Sequence, residues 1–143
     1  MVRIALGDGF HAYARVMKEA TFAVYNAHVP DTQELPLAAF HTLPILFHIA
    51  VMDHAVKKGR WKILGNISPE MLSTEVPPKF IQDPLDRTNF SIYRDGQIRR
   101  ATREECIGLE CAAVWEPEHV EDRIRDHYAG RPNKWSESMK IKD

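Results

Sequence analysis

The stretch Pro44 to Trp61, PILFHIAVMDHAVKKGRW, decides how the rest of the chain is read. Ile45, Phe47, Ile49 and Val51 alternate with Leu46, His48, Ala50 and Met52, so an extended segment here is apolar on both faces, as a buried strand is. This pattern predicts a strand ending at Met52 in the middle of a sheet. One helix from Ile45 to Lys58 is the weaker alternative, because β-branched and aromatic residues cluster in the first half. Asp53 then offers an N-cap, Ala55 to Lys58 can make one turn, Gly59 suits a left-handed stop, and Trp61 leads into Ile63-Leu64.

Working outward toward the N-terminus, Val2 to Val29 reads as a three-strand meander. Val2 to Leu6 and Phe10 to Met17 flank Gly7-Asp8-Gly9, and Lys18-Glu19-Ala20 turns the chain into Thr21 to Val29, with Phe22 and Val24 on one face and Tyr25 on the other. Leu37 to Thr42 is predicted as a short helix or turn before Pro44 restores the extended chain.

On the other side, Ser68-Pro69-Glu70 signals a helix start that Pro77-Pro78 cuts short. Phe80 to Leu85 is short and extended, and Phe90 to Arg94 with Gln97 to Ala101 flank Asp95-Gly96, a type I′ hairpin signal. Thr102 and Glu105 match a capping box, Leu109 to Trp115 reads as one strand, and Trp115 is assigned to the core. Pro117 opens a helix whose Val120, Ile124 and Tyr128 form an apolar stripe, ending at Gly130. Trp135, Met139 and Ile141 are predicted to anchor a tail strand. The expected fold class is α+β: a single domain over residues 1–143, with a mainly antiparallel sheet, open or barrel-like, and a C-terminal helix packed on it.

The chain has 143 residues and a formal charge of −1, from nineteen basic and twenty acidic residues. That balance removes the electrostatic case for non-specific binding to nucleic acid or an anionic membrane. No apolar stretch approaches the ~20 residues a bilayer requires, and no basic region precedes a long apolar segment, so a soluble cytoplasmic protein without a signal peptide is expected. Cys106 and Cys111 are too few for a disulfide framework and read as two partly buried thiols.

Few residues carry a recognisable chemistry. There is no phosphate loop and no nucleophile elbow, and the seven histidines form no H-E-x-x-H or similar motif. His48, Asp53 and His54 are the closest cluster for a divalent cation, with His11 or His28 as a remote ligand; against this, Asp53 serves as a cap and His48 as a half-buried polar residue in the sheet. The segment Glu104 to Asp126 carries a local excess of carboxylates, which could attract a basic partner or simply form capping and solvated helix positions.

Short motifs distributed along the chain extend this reading. Leu6-Gly7-Asp8-Gly9 and Tyr13-Ala14-Arg15-Val16, then Val51 to Trp61, then Gln82-Asp83-Pro84, Glu104-Glu105-Cys106, Gly108-Leu109-Glu110, Ala112-Ala113-Val114-Trp115 and His119 to Arg123, resemble in order and combination the immunity protein 26 family, which is grouped with a small coroxon-hydrolysing phosphotriesterase. Ala14 stands where members often have Gly. The resemblance implies a cytoplasmic protein that neutralises a cognate toxin of a bacterial polymorphic toxin system by stoichiometric binding. Arg15, Asp53, Arg60 and Trp61 are then the candidate contact surface, with Glu118, Glu121 and Asp122 as an electrostatic rim, and no cofactor. The competing expectation is a metal-dependent phosphotriesterase using His48, Asp53 and His54.

Overall fold

The protein is described from a computed structural model, which covers residues 1–67 and 72–143. The predicted helix start at Ser68-Pro69-Glu70 lies outside the described residues. The fold is α+β, with a curled seven-stranded sheet, a second sheet of four strands and a C-terminal helix.

The meander forms as β1 (Val2–Ala5), β2 (Phe10–Val16) and β3 (Thr21–Tyr25). The second turn is an unusual one: Glu19 and Ala20 both have positive φ, at 60° and 56°, in positions where glycine or asparagine is the ordinary choice. The predicted third strand breaks early. A bulge in the pairing with the Pro44 segment falls between Val24 and Tyr25, and β4 (Val29–Pro30) returns to pair with Phe10 and His11 of β2. A 3₁₀ turn at Leu37–His41 follows, and then β5 (Ile45–Val51).

β5 is an interior strand, but it is not the middle of the sheet. After β5 come α1 (His54–Lys57) and β6 (Lys62–Ile63), and in the second half β7 (Lys79–Gln82), β8 (Phe90–Arg94), β9 (Gln97–Ala101), α2 (Arg103–Cys106), β10 (Glu110–Cys111), β11 (Val114–Trp115), α3 (Pro117–Ala129) and α4 (Lys134–Ser138). The large sheet runs β11-β5-β3-β2-β1-β6, so β2 and β3 hold its centre, and among the described residues only the two-residue β11 flanks β5 on its outer side. The small sheet runs β10-β7-β8-β9.

Leu109 to Trp115 is not one strand. Its first part pairs parallel with β7 in the small sheet and its last part parallel with β5 in the large one, and Ala112-Ala113 carries the chain across. Their short side chains suit a crossing point, and their weak strand propensity agrees with the break. The tail also departs from expectation. The Asn133 side chain accepts a bond from Ser136 N–H at 2.9 Å and starts α4 where a strand was predicted.

Alternation along the strands divides the core in two. Val2, Ile4, Ala12, Ala14, Phe22, Val24, Phe47, Ile49 and Val51 face α3, which presents Val120 and Ile124, both wholly buried. Trp115 joins this face, as predicted, and Ala14 packs its methyl group into it. The opposite face carries Tyr13, Tyr25, Val29 and Phe40. In the small sheet Phe80, Phe90 and Ile92 close over Cys106 of α2, whose Thr102–Glu105 capping box forms as the sequence predicts. The Asp95-Gly96 hairpin does too, with φ of 50° and 79°.

Two substitutions test this account by urea denaturation. Ile124→Ala is expected to cost about 2–5 kcal/mol, the range for emptying a buried aliphatic site. Ala20→Gly is expected to raise stability by up to about 1 kcal/mol, because the left-handed conformation that alanine resists is native to glycine.

Candidate functional site

The corner that follows β5 is fastened to α3. Asp53 does not cap α1 with its side chain: its backbone is already helical, and its carboxylate instead takes the Lys57 ammonium at 2.7 Å, one turn on and exposed. His54 Nε2 lies 3.0 Å from Glu116. Arg60 Nε and Nη2 donate to the two oxygens of Glu121, each at 2.8 Å, and Trp61 Nε1 donates to Glu121 Oε2 at 2.9 Å. Glu121 is only 4% exposed, so this buried carboxylate is held by three N–H donors.

The seven residues singled out from the sequence therefore separate into different places. Trp61 is fully buried, with its ring edge-on to Phe22 at 5.2 Å, and neither it nor Glu121 is presented to solvent. Both support Arg60, whose outer edge stays exposed 3.4 Å from Glu118. Asp53 is exposed at the same corner, whereas Asp122 lies on α3 bonded to Arg125 and to Trp135 Nε1, the latter at 3.1 Å. Burial would raise the Asp122 carboxyl, but these two donors outweigh it and hold it below the usual range. Arg15 sits on the opposite face of the large sheet, since its neighbour Ala14 faces α3.

The carboxylate excess of the Glu104 to Asp126 segment is largely taken up inside the protein. Glu105 pairs with Arg99, Glu110 with Arg123, Glu118 and Glu121 with Arg60, Asp122 with Arg125 and Asp126 with Arg131. Arg123 also stacks 3.9 Å over the Phe47 ring, which fixes its fork toward Glu110.

A second arrangement lies on the Arg15 side. The strand register aligns Arg15 with Ala23 and Ala23 with His48, so the arginine and the histidine share one row and face, with only a methyl group between them. Arg15 donates to the Ser73 carbonyl at 2.9 Å and lines a groove of about 610 Å³ with Met1, Met17, Ile63 and Leu72. Beside it the Tyr25 hydroxyl is buried with no hydrogen-bond partner among the described residues. His48 instead lines a smaller cleft with Lys79 of β7. Burial first, and then the Arg15 and Lys79 charges, hold the His48 imidazole below its ordinary value, with Glu110 acting the other way. Burial likewise lowers Lys79, against the opposing pull of Glu19 and Glu110. Sequence reasoning missed Lys79, because a single lysine in an extended KFIQ segment matches no motif.

No group of three or more His, Cys, Asp or Glu among the described residues is placed to share a metal ion, and His48, Asp53 and His54 do not gather into one. Burial pushes the Cys106 and Cys111 thiols up, the reverse of what activates a cysteine nucleophile. Among the described residues no helix is long and apolar enough to cross a membrane.

Two measurements follow. Glu121→Ala strands Arg60 and the Trp61 N–H and is expected to cost roughly 3–5 kcal/mol, whereas Glu118→Ala should stay within about 0.5 kcal/mol in the same urea titration. His48 binds its proton less readily in the folded chain than in the unfolded one. Its contribution to stability is therefore complete above the ordinary histidine value of about 6.5 and is lost as pH falls through the lower folded value. His48→Asn is expected to flatten the acid side of the stability profile.

No curated protein and no solved structure matches the chain. The sequence profile of immunity protein 26 matches residues 1–91, which takes in the whole meander, the β5 corner and the start of the small sheet. On that match over more than half its length, the chain belongs to the immunity protein 26 family.

Proposed function

We propose that the protein acts in the cytoplasm as the immunity partner of a toxin from a bacterial polymorphic toxin system, neutralising it by stoichiometric binding. The observation that carries this reading is the family match over residues 1–91. The geometry of the corner supports it. Arg60 is an exposed guanidinium whose position is set from below by Glu121 and Trp61, and such a pre-positioned side chain loses little freedom on binding. Arginines held in this manner are common interface anchors. Glu118 and Asp53, exposed nearby, would steer the approach of a basic surface, with Asp122 further along α3. Arg15 would belong to a separate contact on the other sheet face.

Co-expression with toxin domains encoded beside family members tests the proposal. Protection of growth by one of them, with a purified one-to-one complex, is the expected result. In that complex the double substitution Asp53→Lys, Glu118→Lys should slow association and reduce its salt dependence while leaving the melting temperature unchanged. Failure to protect against, or bind, any such toxin would sink it.

A further inference from the structure

We infer that the cleft between the two sheets, where His48 of β5 meets Lys79 of β7, is a binding site for a single oxyanion such as a phosphate or carboxylate group. This goes beyond the toxin reading and does not depend on it.

The first observation is Lys79 itself. The residue is 8% exposed, yet its ammonium makes no hydrogen bond or ion pair with any described residue. The stem is what is buried, and the ammonium at its end reaches water in the cleft, where an unpaired cation is suited to a ligand of opposite sign. The second is the surroundings. His48 and Lys79 line one cleft of about 210 Å³ whose other walls include Leu46, Phe47, Pro77 and Pro78. Apolar walls strengthen any charge pairing inside them. The volume suits one small anion and leaves no room for a nucleotide, which needs a pocket of roughly 300 Å³ or more.

Glu110 is the carboxylate in the wall of the cleft, and both of its oxygens are engaged by Arg123, at 2.6 and 3.2 Å. Glu19 acts on Lys79 from the β2–β3 turn, and Cys111 lies beside it with its thiol protonated. Arg15 adds positive charge from the adjoining groove, in the same row as His48. Burial first, and then the Arg15 and Lys79 cations, depress His48; a bound anion would oppose both effects and draw a proton onto the imidazole, so that His48 and Lys79 both donate to it. Binding is then favoured on the acid side of neutrality and coupled to uptake of one proton.

The experiment follows the His48 ring by NMR while inorganic phosphate, acetate or chloride is added to the full chain at constant ionic strength. The expected result is a saturable shift of the His48 signals with phosphate, an increase in the pH at which that ring titrates, and no saturation with chloride. Saturation by acetate as well would mark a carboxylate, such as a partner's acidic side chain, as an alternative source of the anion; saturation by phosphate alone would mark free phosphate. Lys79→Met replaces the ammonium while keeping most of the aliphatic stem, and it should weaken binding about tenfold or more, the worth of one charge-assisted hydrogen bond. His48→Asn, at a half-buried position, is the second variant and should abolish the pH dependence of binding, read by calorimetry. Shifts that grow linearly and equally with chloride would overturn the inference, as would unchanged phosphate affinity in Lys79→Met or unchanged pH dependence in His48→Asn.

Discussion

A carboxylate deep between a helix and a sheet survives only if its charge is met from every side, and Glu121 is met by Arg60 and by the indole of Trp61. These partners stand about sixty residues away in the chain. The bonds therefore connect the corner after β5 to the thirteen-residue helix α3 and orient that helix over the main core. Hydrophobic burial of Val120 and Ile124 drives α3 onto the sheet, but an apolar stripe alone would tolerate sliding and rotation. A buried, directional, three-donor acceptor does not.

The two faces of the large sheet consequently have different characters. On the α3 side, charged residues are mostly paired with one another, and what reaches solvent is the outer margin of a structural network. On the other side the charges of Arg15 and Lys79 flank a His48 imidazole that burial holds below its ordinary value, and the nearby Glu110 is engaged by Arg123. One face has satisfied its electrostatics internally; on the other, no ion pair among the described residues takes up Arg15 or Lys79.

Much of the fold was legible because its signals are local. Asp95-Gly96, the Thr102–Glu105 box, the Val120-Ile124-Tyr128 stripe and the Gly130 stop each act within a few residues, and each formed where the sequence placed it. The failures are those in which a distant partner decides. Nothing within Leu109 to Trp115 states that its ends belong to different sheets, since that depends on β7 and β5 being available on either side. Asp53 carries the signature of a cap, yet Lys57 competes for its carboxylate and wins. The candidate site was legible only in part. Arg60, Trp61 and Glu121 were each singled out, but as one exposed surface, because burial of a tryptophan and a glutamate against each other is invisible until residues sixty apart are brought together. His48 was noticed as a ligand candidate, while Lys79, its real neighbour, has no pattern around it.

The guanidinium of Arg125 in α3 closes on the Leu6 carbonyl, 119 residues earlier in the chain. The end of the β1 segment is thus completed by a helix made 119 residues after it. At about 5–20 residues per second, β1 and β2 would wait roughly 6–24 s with one apolar face uncovered. During that interval the nascent meander presents an uncovered apolar face and unpaired strand edges, the two features that expose a folding chain to aggregation.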